Sequence, residues 1–360
     1  MKICLFAPEQ HEPLIEGIQK SAHETCRALR EAGNTLLIFS QNSYGPDQKF
    51  IGEAGVFTRD VRYVFSTNKI RFLKYLHWFL SAKNIVNQIT DFQPEKLIIF
   101  SLDWSFLPAL QSVLRKLQNL PVTVCIFSMR ELSGPGKRFV IRNSHRKNLR
   151  FRCFSKYLAN RLIDLGVPAE QNQVEPVFFT KQKDVLPKIR ADRYRIAYLS
   201  SSDVESGVHT AISLAREIPE ADFTLAIRKF GTRQERHIQK FLSEMNPLLP
   251  ANIRIMRNIP EMRSFLAATN TVILPPSSEM HTMALPLVAL EAAAAGCQVL
   301  FSDLPIFSEL EKSGLGKLCS GVNDFAAAIR ADMASVAEWT NMQVQNMIGP
   351  EEFAKQVSLQ

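Results

Sequence analysis

The sequence predicts an α/β protein in which two doubly wound parallel sheets follow one another along the chain. Three observations lead to this fold class. Short apolar runs alternate with amphipathic segments over most of the 360 residues, which is the pattern of a parallel sheet with covering helices. The alternation comes in two series. A charged segment with a proline and few apolar residues, Lys181–Arg193, separates the two series and reads as a linker.

The first series contains five apolar runs that predict buried strands. They are Lys2–Phe6, Thr35–Phe39, Lys96–Phe100, Val122–Phe127 and Phe151–Phe154. Between the first two runs, apolar residues in Ile15–Ala32 recur at helical spacing, and Gly33 follows as a helix stop. Similar spacing predicts helices over Phe72–Thr90 and Leu107–Gln118.

The second series repeats this alternation. Its predicted strands are Ile196–Leu199, Phe223–Ile227, Ile253–Met256, Thr271–Leu274 and Gln298–Phe301. Its predicted helices are Val208–Glu217, Thr232–Met245, Glu261–Ala268, Pro286–Ala295 and Ile306–Lys312. We therefore expect a first domain over residues 1–185, a second over 186–335, and a helical tail over 336–360 that is placed to cross back to the first domain.

Ligands of doubly wound sheets bind beyond the carboxyl ends of the strands. The residues that follow each predicted strand are therefore the candidate site residues. The sequence contains no GxGxxG, GxxxxGK[ST] or GxSxG motif. A dinucleotide site, a Walker-type phosphate site and a hydrolase nucleophile elbow thus have no support.

The charge is distributed unevenly along the chain. Residues 1–190 hold 28 Lys and Arg against 16 Asp and Glu, a net +12, whereas residues 191–360 hold 15 against 19, a net −4. The densest basic run extends from Lys137 to Arg161. It fits attraction to an anionic membrane surface or phosphorylated lipid, and it equally fits a solvated helix face. No interleaved aromatic pattern accompanies it, so nucleic acid is not an expected partner.

The six cysteines lie far apart, with no CxxC and no Cys/His ligand spacing. This favours buried thiols over a disulfide framework or a metal site. No stretch approaches the roughly 18 apolar residues that span a bilayer. The start, MKICLFAPEQ, reads as a first strand and not as a signal peptide. We expect a cytoplasmic protein, with the inner membrane face as a peripheral location.

A resemblance to a known family rests chiefly on Leu274–Gly296, which reads LPPSSEMHTMALPLVALEAAAAG and is followed by CQVLFSDLPIFSEL. These residues resemble the nucleotide-sugar site of retaining GT-B glycosyltransferases of the bacterial polysaccharide type, the glycosyl transferases group 1 or family 4. The opening MKICLFAPEQHEPLIEGIQKSAHETCRALREAGN and the segment from Phe154 to NQVEPVF resemble the first domain of that family. The resemblance implies two Rossmann-like domains that face a central cleft.

The resemblance also implies where a nucleotide would bind. Pro286 opens a helix, a favoured position for proline. The free N–H groups of Leu287 and Val288 would then meet a diphosphate, helped by the helix dipole. Glu291 lies one turn further and would accept hydrogen bonds from the ribose hydroxyls.

The remaining implied residues lie on other loops. Ile259 and Met262, on the base-side loop, are nucleotide candidates through their backbone groups. The implied acceptor and sugar side comprises Glu16, Gly17, His23, Arg130 and His281. His23 is explained at least as well as an ordinary helix residue, and the role of Arg130 stays open.

Three positions depart from the family pattern. Met283 stands where the family has its first glutamate, at the transferred sugar, and methionine has neither the charge nor the hydrogen bonds. Ser201 and Ser206 stand where the family has an Arg and a Lys that neutralise the diphosphate. Arg228 and Lys229 follow the strand FTLAI. They are candidate catalytic replacements, or else solvent-facing charges.

The resemblance implies a retaining transferase that moves a hexose from a UDP-sugar, UDP-glucose or a relative, to a polysaccharide or glycolipid acceptor. It implies neither a metal nor a cofactor. The alternative is a catalytically degenerate GT-B protein that acts as a partner subunit or as a UDP-sugar sensor.

Overall fold

The computed structural model describes residues 1–7, 17–42, 56–62, 71–102, 107–174, 186–189, 192–200, 204–227, 239–241, 243–244, 249–257, 259 and 261–335. These residues form two compact units, 1–174 and 186–335. The expected tail over 336–360 and most of the expected helix Thr232–Met245 lie outside the described residues.

The first unit is built on a sheet whose described strands are all parallel, in the order β3-β2-β1-β4-β5-β6-β7. The strands are β1 (Lys2–Ala7), β2 (Thr35–Asn42), β3 (Val56–Arg62), β4 (Lys96–Phe100), β5 (Val122–Ile126), β6 (Leu149–Cys153) and β7 (Asn172–Val174). Strands β4 and β5 are buried along their whole length. This explains why they read as continuous apolar runs and not as an alternating pattern.

Five helices of the first unit are described: α1 (Gly17–Glu31), α2 (Arg71–Phe92), α3 (Leu107–Lys116), α4 (Gly134–Asn143) and α5 (Lys156–Asp164). The end of α1 shows how the sequence sets a boundary. Gly33 has a φ of 82°, and its N–H donates to the carbonyl of Arg30 at 2.8 Å. This left-handed turn is the expected helix stop, a conformation that glycine adopts without strain.

The second unit repeats the plan with a sheet in the order β10-β9-β8-β11-β12-β13, again parallel in its described strands. Its strands are β8 (Arg195–Ser200), β9 (Asp222–Ile227), β10 (Ile253–Met256), β11 (Thr271–Leu274), β12 (Gln298–Ser302) and β13 (Lys317–Cys319). Its helices include α6 (Val208–Glu217), α7 (Met262–Ala267), α8 (Leu287–Ala294), α9 (Ser308–Lys312) and α10 (Val322–Ala334). Helices α6 and α10 pack together over β8 and β9, where Tyr198, Ile212 and Ile329 are buried.

The predicted fold class is confirmed, since both units are doubly wound parallel sheets. Three strands had no signal in the sequence: β3, β7 and β13. Among the described strands, β3 and β7 lie at the two edges of the first sheet and β13 lies at one edge of the second. An edge strand is paired on one side only and is often short or polar, so it lacks the continuous apolar run that marks a central strand.

A cluster of hydrogen-bonded polar side chains lies at the amino ends of the strands in the second sheet. The Lys188 ammonium donates to Cys297 Sγ at 3.2 Å and to backbone carbonyls at the end of α7. The Tyr194 hydroxyl hydrogen-bonds Thr271 Oγ1 at 2.7 Å and also Asp332 on α10. The described part of the expected linker is therefore tied to the second unit, at the edge opposite the candidate site.

Candidate functional site

The carboxyl edge of the second sheet contains a topological switch point. From β8 the chain adds β9 and β10 on one side, and β11, β12 and β13 lie on the other. Strands β8 and β11 are thus neighbours whose following loops run to opposite sides, which opens a crevice between them. The loop after β8 leads into α6, and the loop after β11 leads into α8.

These two loops are locked to each other by backbone contacts. The N–H of Ser277 donates to the carbonyl of Glu205 at 2.9 Å. Gly207 has a φ of 87°, and a Cβ at this position would lie 1.8 Å from the carbonyl oxygen of Pro275. The Tyr198 hydroxyl, on β8, donates to the carbonyl of Ser206 at 3.1 Å. These contacts join the two loops on one side of the crevice, and they leave no space for a side chain at position 207.

Helix α8 begins at Leu287, with Pro286 as its N-cap residue at φ −66° and ψ 124°. The expectation that Pro286 opens the helix is correct to within one position. The first N–H groups of a helix have no partner inside it, so those of Leu287 and Val288 have none within α8. The Leu287 side chain is buried, while Val288 and Glu291 are half-buried. Backbone donors and a carboxylate one turn apart suit a ligand with a phosphate and hydroxyl groups.

The other predicted site residues of the second unit differ in their exposure to solvent. Ser206 is only 5% exposed. His281 is exposed at the end of a short 3₁₀ turn, and Met283 follows it, half-buried. Ile259 and Met262 are half-buried between β10 and α7. All five follow carboxyl ends of strands in this sheet, as the sequence predicts.

Four of the predicted residues, Glu16, Ser201, Arg228 and Lys229, lie outside the described residues. Arg228 and Lys229 directly follow β9, which ends at Ile227 beside β8. In the first unit, Gly17 is the first residue of α1 and His23 is half-buried within that helix.

The first unit has its own switch point, between β1 and β4. Arg130 is exposed in the 3₁₀ turn Met129–Leu132 that follows β5. Ser101, directly after β4, has a φ of 69°, an uncommon conformation for a residue with a side chain. Strained backbone of this kind concentrates at functional sites.

Glu131, beside Arg130, is the residue that sequence reasoning missed. Its Oε2 accepts hydrogen bonds from the N–H groups of Phe127 at 2.6 Å and Ser128 at 3.2 Å. Burial raises the pKa of Glu131 to about 7, although interactions with the Ser101 side chain and with backbone N–H groups lower it in part. The signal was present, because Ser128-x-x-Glu131 has the spacing of a helix capping box.

The part of the chain that the structure describes holds no group of three or more His, Cys, Asp and Glu side chains arranged for a metal ion. Within the same residues, no helix combines the length and the apolar character needed to cross a bilayer.

Comparison with known proteins shows which class of protein this chain resembles. Residues 193–335 match the family model described as glycosyl transferases group 1. No curated protein matches the chain by sequence. Among solved structures, sucrose-phosphate synthase from Thermosynechococcus elongatus is similar over 100% of this chain and 98% of its own, with 16% identity and a TM-score of 0.79.

Two further structures share the fold. Anabaena HepE, solved in complex with UDP and glucose, has 14% identity and a TM-score of 0.69, with 99% of this chain and 95% of that chain covered. WaaG, a glycosyltransferase involved in lipopolysaccharide biosynthesis, has 12% identity and a TM-score of 0.65, with 93% and 91% covered.

The fold is therefore GT-B, with two Rossmann-like units. Residues 193–335 match the model of the glycosyl transferases group 1 family, and the resemblance seen in the sequence is confirmed.

Proposed function

We propose that this protein is a retaining glycosyltransferase that moves a hexose from a UDP-sugar, UDP-glucose or a relative, to a polysaccharide or glycolipid acceptor. The observation that supports the proposal is the start of α8, where helix-start N–H groups and Glu291 lie on the helix that follows β11, within the family-matched region. Two of the similar structures, HepE with UDP and glucose and HepE with UDP-glucose, support the choice of donor.

In the proposed reaction the acceptor hydroxyl attacks the anomeric carbon on the face from which the diphosphate leaves. The bond from that carbon to the diphosphate oxygen breaks, and the bond to the acceptor oxygen forms with retained configuration. The departing diphosphate oxygen takes the proton of the acceptor hydroxyl. The leaving group carries negative charge, so donors aimed at it lower the barrier. The N–H groups of Leu287 and Val288 take this role together with Arg228, while Lys229 assists and Glu291 anchors the ribose. Ile259 and Met262 meet the base.

Acceptor binding falls to the first unit, with Gly17, Glu16, His23 and Arg130, and His281 completes the sugar side. Ser201 and Met283 line the donor at positions where the family has charged groups. The reaction needs no metal in this scheme, because helix donors and basic side chains stabilise the diphosphate.

A second candidate function is a UDP-sugar sensor or a non-catalytic partner subunit. Ser206 favours this second function. The family has a lysine at that position, whereas a serine has no charge, and this serine is buried. A sensor binds UDP without transfer, whereas a partner subunit binds no nucleotide.

A peripheral membrane contact is also proposed, at the inner face of the cytoplasmic membrane. Helix α4 exposes Lys137, Arg138 and Arg142 together with Ile141, which is 47% exposed. Basic side chains around an exposed apolar one suit an anionic lipid surface better than a merely solvated face. A cytoplasmic location agrees with six cysteines that are all free and buried.

Calorimetric titration with UDP, with GDP and ADP as controls, tests the proposal. Micromolar binding of UDP and weaker binding of the other two is expected. Glucose release or transfer from UDP-glucose then separates the transferase from the sensor. No binding of any nucleotide at millimolar concentration would leave only the partner-subunit function.

A further inference from the structure

We propose that Tyr198 is a positioning residue for the diphosphate of the donor. Its buried hydroxyl holds the loop 204–207, which connects β8 to α6 at the switch point, in one conformation. The word donor rests on the proposed function, whereas the held loop rests on contacts within the second unit.

Tyr198 lies in the interior of the second unit, on β8. Its side chain is 0% exposed, and in the sheet register it is paired with Leu225 of β9 and Ile273 of β11. Neither of these neighbours has a side chain that can form a hydrogen bond. A buried phenol hydroxyl is costly unless it is hydrogen-bonded, and this one donates to the carbonyl of Ser206 at 3.1 Å. The hydroxyl therefore ties the interior of β8 to the loop that follows this strand.

This hydrogen bond also bears on where α6 begins. Gly207 is the N-cap residue of the helix, and its carbonyl accepts the N–H of Ala211 at 3.2 Å. The carbonyl of Ser206, one residue earlier, accepts from Tyr198 and so points towards β8. A helix that began one residue earlier would use that carbonyl for its own first hydrogen bond. Tyr198 therefore favours a helix that starts directly after Gly207.

The same loop is held by a second set of contacts, from the loop after β11. The carbonyl of Glu205 accepts the N–H of Ser277 at 2.9 Å, and Gly207 leaves no room for a Cβ against the carbonyl of Pro275. These contacts involve the backbone of both loops, whereas the contact from Tyr198 comes from a side chain. A conservative substitution of Tyr198 thus removes one restraint while the sequence of both loops stays intact.

A fixed loop matters because this stretch of chain has no basic side chain. Residues 201–207 contain neither Lys nor Arg, and Ser206, at the position of the family lysine, is 5% exposed. Any stabilisation of a diphosphate from residues 201–207 therefore comes from uncharged groups. Hydrogen-bond donors stabilise charge most effectively where the protein already holds them in place, because no reorganisation then opposes binding. Loss of the Tyr198 hydroxyl thus weakens the phosphate contacts and spares those of the nucleoside.

Tyr198→Phe tests this inference, because phenylalanine keeps the ring in the core and removes only the hydroxyl. The measurement is calorimetric titration of the full chain with UDP and with uridine. The affinity for UDP is expected to fall about five- to ten-fold, the effect of one hydrogen bond. The affinity for uridine is expected to stay unchanged, because uridine has no phosphate. An equal loss for both ligands would show a general disturbance of the unit and would overturn the role of Tyr198.

Tyr194→Phe is the matched control. Tyr194 directly precedes β8, and its hydroxyl hydrogen-bonds Thr271 Oγ1 at 2.7 Å, at the amino ends of the strands. Both variants therefore remove one hydrogen-bonded phenol hydroxyl from the same unit, at opposite ends of one strand. Tyr194→Phe is expected to keep the wild-type affinities for UDP and uridine. A loss for UDP as large as that in Tyr198→Phe would mean that lower stability weakens binding, and this would overturn the inference.

Hydrogen exchange without nucleotide checks the loop directly. The amides of residues 204–211 are expected to exchange faster in Tyr198→Phe than in the wild type, and at the wild-type rate in Tyr194→Phe. Unchanged exchange in Tyr198→Phe would overturn the inference even if UDP binds. Absence of UDP binding by the wild type would overturn the proposed function and this inference with it, whereas equal affinity of the wild type and Tyr198→Phe for UDP would overturn this inference alone.

Discussion

Two glutamates show how one residue type takes opposite electrostatic roles. Glu261 and Glu131 both accept hydrogen bonds from backbone N–H groups at the start of a helical turn. The hydrogen bonds from Ser264 and Arg263 lower the pKa of the exposed Glu261. Burial outweighs the same kind of hydrogen bonds at Glu131 and raises its pKa. The spacing of residues along the chain therefore predicts that each glutamate caps a turn. Burial decides whether the pKa of the capping carboxyl group is raised or lowered.

The raised pKa predicts how stability depends on pH. The native state binds the Glu131 proton more tightly than the unfolded chain, so the wild type loses stability as pH rises from about 4.5 to about 7. Relative to Glu131→Gln, the loss amounts to roughly 3 kcal/mol in the first unit. Thermal unfolding of both proteins from pH 4.5 to 8 measures it. A constant difference in Tm across that range would contradict the burial of the charge.

The proposed ribose contact predicts a specific loss of affinity. Glu291→Ala should weaken UDP and uridine equally, by about 1–3 kcal/mol, because both ligands carry the ribose. Calorimetric titration measures both constants. Glu220→Ala is the matched control, since Glu220 is exposed before β9, at the amino edge of the same sheet. A loss for UDP alone would move Glu291 from the ribose to the phosphate, and no loss would remove it from the site.

At the scale of elements, the site depends on how two loops meet. The loops after β8 and β11 are far apart in sequence, yet they are joined where Ser277 donates to Glu205 and Gly207 lies against Pro275. This junction fixes the end of β11 relative to the start of α6. Gly207 contacts the backbone of Pro275, which leaves no room for a Cβ, and its positive φ also disfavours any residue with a side chain.

Gly207→Ala is therefore expected to destabilise the second unit by more than about 3 kcal/mol and to weaken UDP binding. Gly33→Ala is a matched control, because Gly33 has a similar φ of 82° but nothing within 4 Å of the added Cβ. It should cost only about 1 kcal/mol, the strain of the left-handed backbone. Denaturant unfolding of both variants measures the difference. Equal costs would mean that the loop relaxes away from Pro275.

At the scale of the whole molecule, the two units share one plan but differ in charge. The half of the chain that contains the first unit is strongly basic, and the half that contains the second is mildly acidic. A basic face draws anionic partners, a membrane surface among them, over a distance of about one Debye length. Part of this positive charge lies on the exposed surface of α4.

Replacing Lys137, Arg138 and Arg142 together by Gln should weaken binding to vesicles with anionic lipid by about 3 kcal/mol, roughly 1 kcal/mol for each basic residue. Vesicle sedimentation at low and high salt measures it. The control removes three exposed charges from the second unit, at Arg216, Lys312 and Lys317. If both triple variants bind equally, the basic run is a solvated face.

The sequence by itself determined the parallel sheets, the separation into two series and the family-like stretch after β11, because central strands and the helices over them carry strong periodic apolar patterns. It also placed Leu287, Val288 and Glu291 at the start of one helix. The edge strands β3, β7 and β13 carried no such pattern. Only the tertiary structure showed that Ser206 is buried, that Gly207 lies against Pro275 and that burial raises the pKa of Glu131. Each of these depends on contacts between segments distant in sequence, and burial sets the charge of a side chain only once those segments have met.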